Sequence, residues 1–101
     1  MARIRTHPGE VLREEFMKPL GLSANALALA LRVPATRIGD IIRHEKPRAV
    51  TADTAIRLAR YFGTSAEFWL NLQSAYDLSV ALNERGATIE RDVHPREHEA
   101  A

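Results

Sequence analysis

Thr36, Arg37 and Asp40 lie within about one helical turn of each other, and Arg43, Lys46 and Arg48 follow closely. Side chains of these types recognise by hydrogen bonding and charge. A guanidinium forks onto guanine O6 and N7, a carboxylate accepts from cytosine N4, and a methyl group meets that of thymine. Ala35 and Thr36 supply methyl groups, and Thr36 adds a hydroxyl. Arg37 either makes the guanine contact, worth about 1–3 kcal/mol of discrimination, or meets only phosphate. Asp40 either accepts from a cytosine amine or pairs with Arg37 or Arg43 and orients a cation. Base reading is therefore assigned to Ala35, Thr36, Arg37 and Asp40. Phosphate contacts, which carry affinity and no sequence information, are assigned to Ser23, Asn25, Arg43, Lys46, Arg48 and Thr51.

Bond-breaking chemistry finds no comparable support. His94-Pro95-Arg96-Glu97-His98 matches the inverted zinc-protease string H-x-x-E-H. That site needs both histidines on one face of a rigid helix together with a third ligand, and Pro95 interrupts the helix. His7 and His44 are isolated; His7 is placed to cap the first helix and His44 sits in a connector. No serine has a histidine and an acid arranged around it, and there is no glycine-rich phosphate loop. With no cysteine there is no disulfide, thiolate nucleophile or cysteine zinc site. The expectation is a non-enzyme with no catalytic residue, metal or cofactor.

The elements that must position the reading residues are two short helices. Ser23 is an N-cap candidate, and Leu27 and Leu31 line one face of the helix that follows. Pro34 ends that helix by excluding Val33 from the α region. The next helix turns Ile38, Ile41 and Ile42 inward and leaves Thr36, Arg37, Gly39, Asp40 and Arg43 outward. This is the layout of a helix-turn-helix, whose second helix enters the DNA major groove. Gly39 costs roughly 1 kcal/mol relative to alanine in mid-helix; it either permits close approach or is simply tolerated.

Three further helices frame this pair. His7-Pro8-Gly9-Glu10 opens the first, with Pro8 at the position where its missing N–H costs nothing. Val11, Leu12, Phe16 and Leu20 form its buried stripe, and Gly21 ends it. Residues 44–50 are a charged connector. The fourth helix starts at a Thr51 cap, with Asp53 in its first turn and Ala55, Leu58, Ala59 and Phe62 on its apolar face, and stops at Gly63. Thr64-Ser-Ala-Glu67 reads as a capping box opening a fifth helix that runs to about Leu82. That helix is apolar on two sides, with Phe68, Leu72 and Tyr76 on one and Trp69, Gln73 and Val80 near another. One side packs on the domain and the other makes a dimer, assigned to Trp69, Gln73, Tyr76 and Val80.

The chain has 101 residues, 46% hydrophobic and 27% charged, the composition of one globular domain. Its net charge of +1 hides an asymmetry: eleven Lys/Arg against six Asp/Glu in residues 1–63, and three against seven in residues 64–101. The basic front is the part expected to face a polyanion. Residues 1–8 lack the apolar run of a signal peptide, and no run is long enough to span a bilayer, so a cytoplasmic protein without membrane association is expected. The expected organisation is a helical unit over residues 1–83 and a polar, flexible tail over 84–101.

Thr51-Ala-Asp-Thr-Ala55 and Phe68-Trp-Leu-Asn-Leu-Gln73, together with His7-Pro8-Gly9-Glu10 and the helix-turn-helix, closely resemble the HigA antitoxins. These are Xre/lambda-repressor-like proteins, also described as plasmid-maintenance antidote proteins, and the resemblance covers about residues 5–80. It implies an all-α, five-helix, lambda-repressor-like DNA-binding domain. It also implies an antitoxin that silences a HigB-type mRNA-cleaving toxin and represses its own operon by binding operator DNA, usually as a homodimer. A stand-alone Xre-family repressor without a toxin partner is the alternative. Relatives often have a short Asn-Gly or similar turn after the recognition helix; here Arg43-His44-Glu45-Lys46-Pro47-Arg48 is longer and lacks glycine.

Overall fold

The computed structural model describes residues 3–97, and the described residues form five helices and no strand. Helix α1 covers residues 8–20, α2 Ala24–Leu31, α3 Ala35–Ile42, α4 Ala52–Phe62 and α5 Ala66–Asp92. Leu12, Met17, Leu27, Leu31, Ile38, Ile41, Val50, Ala55, Leu58 and Trp69 close one core to which all five helices contribute.

Helix α1 is not uniform. Between α-helical Pro8–Val11 and Lys18–Leu20, residues Leu12–Met17 form a π-helical turn, in which the Lys18 N–H donates to the Arg13 carbonyl five residues back. The wider turn shifts the phase of everything after it by about one residue. Met17 therefore enters the core at 4% exposure, and Leu20, expected in the buried stripe, is 62% exposed. Gly21 and Gly63 end α1 and α4 at φ of 63° and 76°, the left-handed region that a glycine reaches without strain.

The caps are partly as expected. His7 Nδ1 accepts from the Gly9 N–H at 2.8 Å, and Ser23 Oγ accepts from the Ala26 N–H at 3.0 Å. Thr51 stands before α4, yet its hydroxyl makes no cap bond and lies 3.4 Å from Thr54 Oγ1. The cap of α5 is Ser65, which accepts from the Phe68 N–H at 3.0 Å, not Thr64. Thr64 instead accepts from the Trp69 indole N–H at 2.8 Å, because a buried indole requires an acceptor.

The fifth helix does not stop near Leu82. It continues for 27 residues to Asp92, so residues 84–92 are helical and not a flexible tail. Once a helix is nucleated each added residue brings a hydrogen bond, and Glu84, Arg85, Ala87, Glu90 and Arg91 are good helix formers with no proline before Pro95. Residues 93–97 are irregular and exposed, and His98, the last member of the H-x-x-E-H string, lies outside the described residues.

Candidate nucleic-acid interface

Helix α3 is presented by a tight turn. Arg32 ends α2 in the left-handed region at φ 61°, its N–H shared between the Ala28 and Leu29 carbonyls. Pro34, extended at ψ 143°, then starts α3. Ile38 and Ile41 are fully buried, Ile42 is partly buried, and Ala35 and Thr36 stand exposed on the first turn.

The charged candidates fall into two networks. Arg37 pairs through one terminal nitrogen with Asp53 Oδ2 at 2.8 Å, and Arg57 Nε reaches the same oxygen at 2.9 Å. Arg57 and, to a lesser degree, Arg37 hold the Asp53 carboxyl below its ordinary pKa. Arg57 also donates to the Leu31 carbonyl at 2.8 Å, which satisfies the end of α2. The start of α3, the end of α2 and the first turn of α4 are thus tied together. In the second network Asp40 faces Arg43 at 3.4 Å and Arg48 at 3.8 Å, while its carbonyl accepts from the Arg48 N–H at 2.9 Å. Asp40 is therefore engaged by Arg43 and Arg48, and Arg37 turns away from it towards Asp53.

The connector is held at both ends. Arg43 Nε donates to the Lys46 carbonyl at 3.0 Å, and Lys46 occupies the left-handed region at φ 46°, doing without the glycine usual for such a turn. Val50 is buried, and its N–H donates to Gln73 Oε1 at 2.7 Å. Arg43, Lys46, Arg48 and Thr51 are exposed along this segment, as are Ser23 and Asn25 at the start of α2. Exposed cations and free helix-start amides are the groups that hold phosphates.

A helix-turn-helix family model matches residues 14–69. Virulence-associated protein I of Dichelobacter nodosus is 61% identical over 75 residues, covering 74% of this chain and 68% of that protein. A Pseudomonas aeruginosa antitoxin HigA, solved with the higBA promoter, is 48% identical with a TM-score of 0.87 and covers 94% of this chain and all of that one. The chain belongs to the HigA family. A HigA-family addiction module antidote protein from Coxiella burnetii is also 48% identical, with a TM-score of 0.84 over 92% of this chain and 99% of its own. HigA proteins are helix-turn-helix regulators, a non-enzymatic class. Among the described residues no helix is long and apolar enough to cross a membrane, and no cluster of three histidines and carboxylates could hold a metal.

This HigA-family chain departs from the expected dimer surface. Trp69 is fully buried in the core, and Gln73 is 7% exposed with its amide shared between Val50 and Asp77. Neither is available to a second copy. Tyr76 is half-buried with its ring edge-on to His7 at 4.8 Å, and Val80 is half-buried. The large apolar side chains left open on this helix are Phe68, Leu78, Leu82 and Ile89.

Gly9 matters more than its sequence position announced. A Cβ there would lie 1.9 Å from the Ile41 carbonyl oxygen, so the start of α1 touches the end of α3 backbone to backbone. Arg13, on the next turn of α1, donates to the Ile42 carbonyl. The sequence signal was the glycine immediately after Pro8, in a first turn where alanine would otherwise be favoured. Gly39 shows no such contact and faces open space.

Proposed function

We propose that this protein is the antitoxin of a type II toxin–antitoxin pair, binding a HigB-type mRNA-cleaving toxin and repressing its own operon as a DNA-bound homodimer in the cytoplasm. The observation that carries the DNA part is the exposed first turn of α3. Ala35 and Thr36 project there beside Arg37, which is aimed by Asp53, and the basic connector Arg43, Lys46 and Arg48 lies at the other end of the helix. The promoter bound to the Pseudomonas aeruginosa antitoxin supports the same reading. Thr36, Arg37 and Ala35 read bases; Ser23, Asn25, Arg43, Lys46, Arg48 and Thr51 hold phosphates; and Asp40 acts through the cations it orients.

A half-site reader of this kind requires a twofold partner. Residues 1–83 form the DNA-binding unit in this reading, and a second copy packs along α5 at Leu78, Leu82 and Ile89, whose spacing is that of a coiled-coil repeat. The test is co-expression with the small protein encoded beside it, followed by purification. Recovery of a tight complex and restored growth support the antitoxin role. A toxic neighbour that neither binds nor is rescued overturns it, leaving a stand-alone operator-binding repressor.

A further inference from the structure

His7 is buried at the point where α1 meets the end of the reading helix. Its Nδ1 accepts from the Gly9 N–H at 2.8 Å, so the neutral ring carries its proton on Nε2. Nε2 is itself buried without a protein partner. The residue so held, Gly9, is the one in backbone contact with the Ile41 carbonyl, and Arg13 binds the neighbouring Ile42 carbonyl from the same helix. Helix α3 makes no cap bond of its own at this end, where Arg43 is already extended. The last turn of α3 therefore leans on the first turns of α1, and the connector with Arg43, Lys46 and Arg48 starts from it.

We propose that neutral His7 is a positioning residue for DNA binding: through Gly9 it seats the end of α3 against α1, and its protonation frees that end and weakens operator binding. The proposal rests on the reading that α3 enters the groove. A proton on Nδ1 would set a donor against the Gly9 N–H, so the cap bond is lost and the charged ring leaves a site where neither nitrogen has an acceptor at hydrogen-bond distance. From α1 the ring is faced by Glu10 and Arg13, from α5 by Tyr76 and Asp77, and from the connector by Arg43 and His44. Asp77 favours the cation; burial outweighs it, and Arg13 and Arg43 supply no relief for a positive ring. His44 lies in the exposed connector, so His44→Gln is the control for a histidine other than His7.

The experiment measures affinity against pH for a duplex of about three helical turns from directly upstream of the protein's own gene. Wild type, His7→Asn and His44→Gln are compared, because an asparagine caps a helix without titrating. As the pH falls below about 6.5 and through the lowered pKa of His7, wild type and His44→Gln should weaken, approaching tenfold about one pH unit below that pKa, while His7→Asn shows no such loss. A parallel loss in His7→Asn, or no loss in wild type, overturns the proposal. Hydrogen exchange on the DNA-free protein gives a second readout. The amides of residues 39–43 should lose protection in wild type with the midpoint of His7's own NMR titration, even should His7→Asn not fold. Failure of wild type to bind the duplex at any pH would sink the DNA reading of α3, whereas constant protection of those amides would sink the role of His7.

Discussion

Arg37 has one terminal nitrogen on Asp53, and the rest of its N–H donors remain for a base or a phosphate. Such an exposed pair is weak, so in the DNA-binding reading proposed above the duplex competes with Asp53 for the guanidinium. Arg37→Ala should cost about 1–3 kcal/mol against one base pair of the operator, read as lost discrimination in competition binding with single-base variants. Lys46→Ala should instead weaken all duplexes alike and reduce the slope of log affinity against log salt by about 1. His7 predicts a pH effect on the fold itself. Burial holds its folded pKa below the ordinary 6.5. Its contribution to stability is therefore complete above about pH 6.5 and is lost as the pH falls through the lowered folded value. The urea midpoint should drop over that acid range in wild type and much less in His7→Asn. The caps at His7 and Ser23 were legible because each bond spans two or three residues. The partners of Arg37 and Asp40 were not, since Asp53 and Arg48 reach them only through the fold.

At the scale of elements, the helix-turn-helix depends on a left-handed residue and a backbone contact. Arg32 carries a side chain at φ 61°, where glycine would be unstrained. Arg32→Gly should raise stability by roughly 0.5 kcal/mol, the relief of left-handed strain less the greater freedom of glycine in the unfolded chain. Gly9 allows no such latitude. Gly9→Ala drives a methyl group into the Ile41 carbonyl, and the denaturation free energy should fall by about 3 kcal/mol. Proline, glycine and apolar spacing placed all five helices, because those signals act locally. The phase of α1 after Arg13 did not follow from spacing: the π turn adds a residue to the turn and exchanges Leu20 for Met17 in the core. The shift of the α5 cap from Thr64 to Ser65 has a tertiary cause too, since the Trp69 indole takes the threonine hydroxyl.

Over the whole molecule, α5 serves two purposes along its length. Its first turns fill the core with Trp69 and anchor the connector through Gln73, and its later turns carry Leu78, Leu82 and Ile89 at 61%, 50% and 49% exposure. Leu82→Glu should leave the monomer fold within about 0.5 kcal/mol, as for other surface substitutions, yet shift sedimentation from dimer to monomer and weaken operator binding with it. A change confined to folding stability would argue against this face as the contact between copies. The expected dimer residues Trp69 and Gln73 were misplaced because helical periodicity separates two faces without saying which one the domain covers.

The sequence alone determined the class of this protein: cap residues, breakers and 3.6-residue spacing specify five helices, and residues 23–42 specify a helix-turn-helix. The strings at residues 51–55 and 68–73 also carry the resemblance to the HigA family. Tertiary structure decided what distant segments do to one another. It set Asp53 against Arg37, Gly9 against Ile41 and Gln73 against Val50, and it carried α5 on to Asp92. Local signals depend on neighbours along the chain, whereas a hydrogen bond or steric contact between residues tens of positions apart exists only once the core has brought them together.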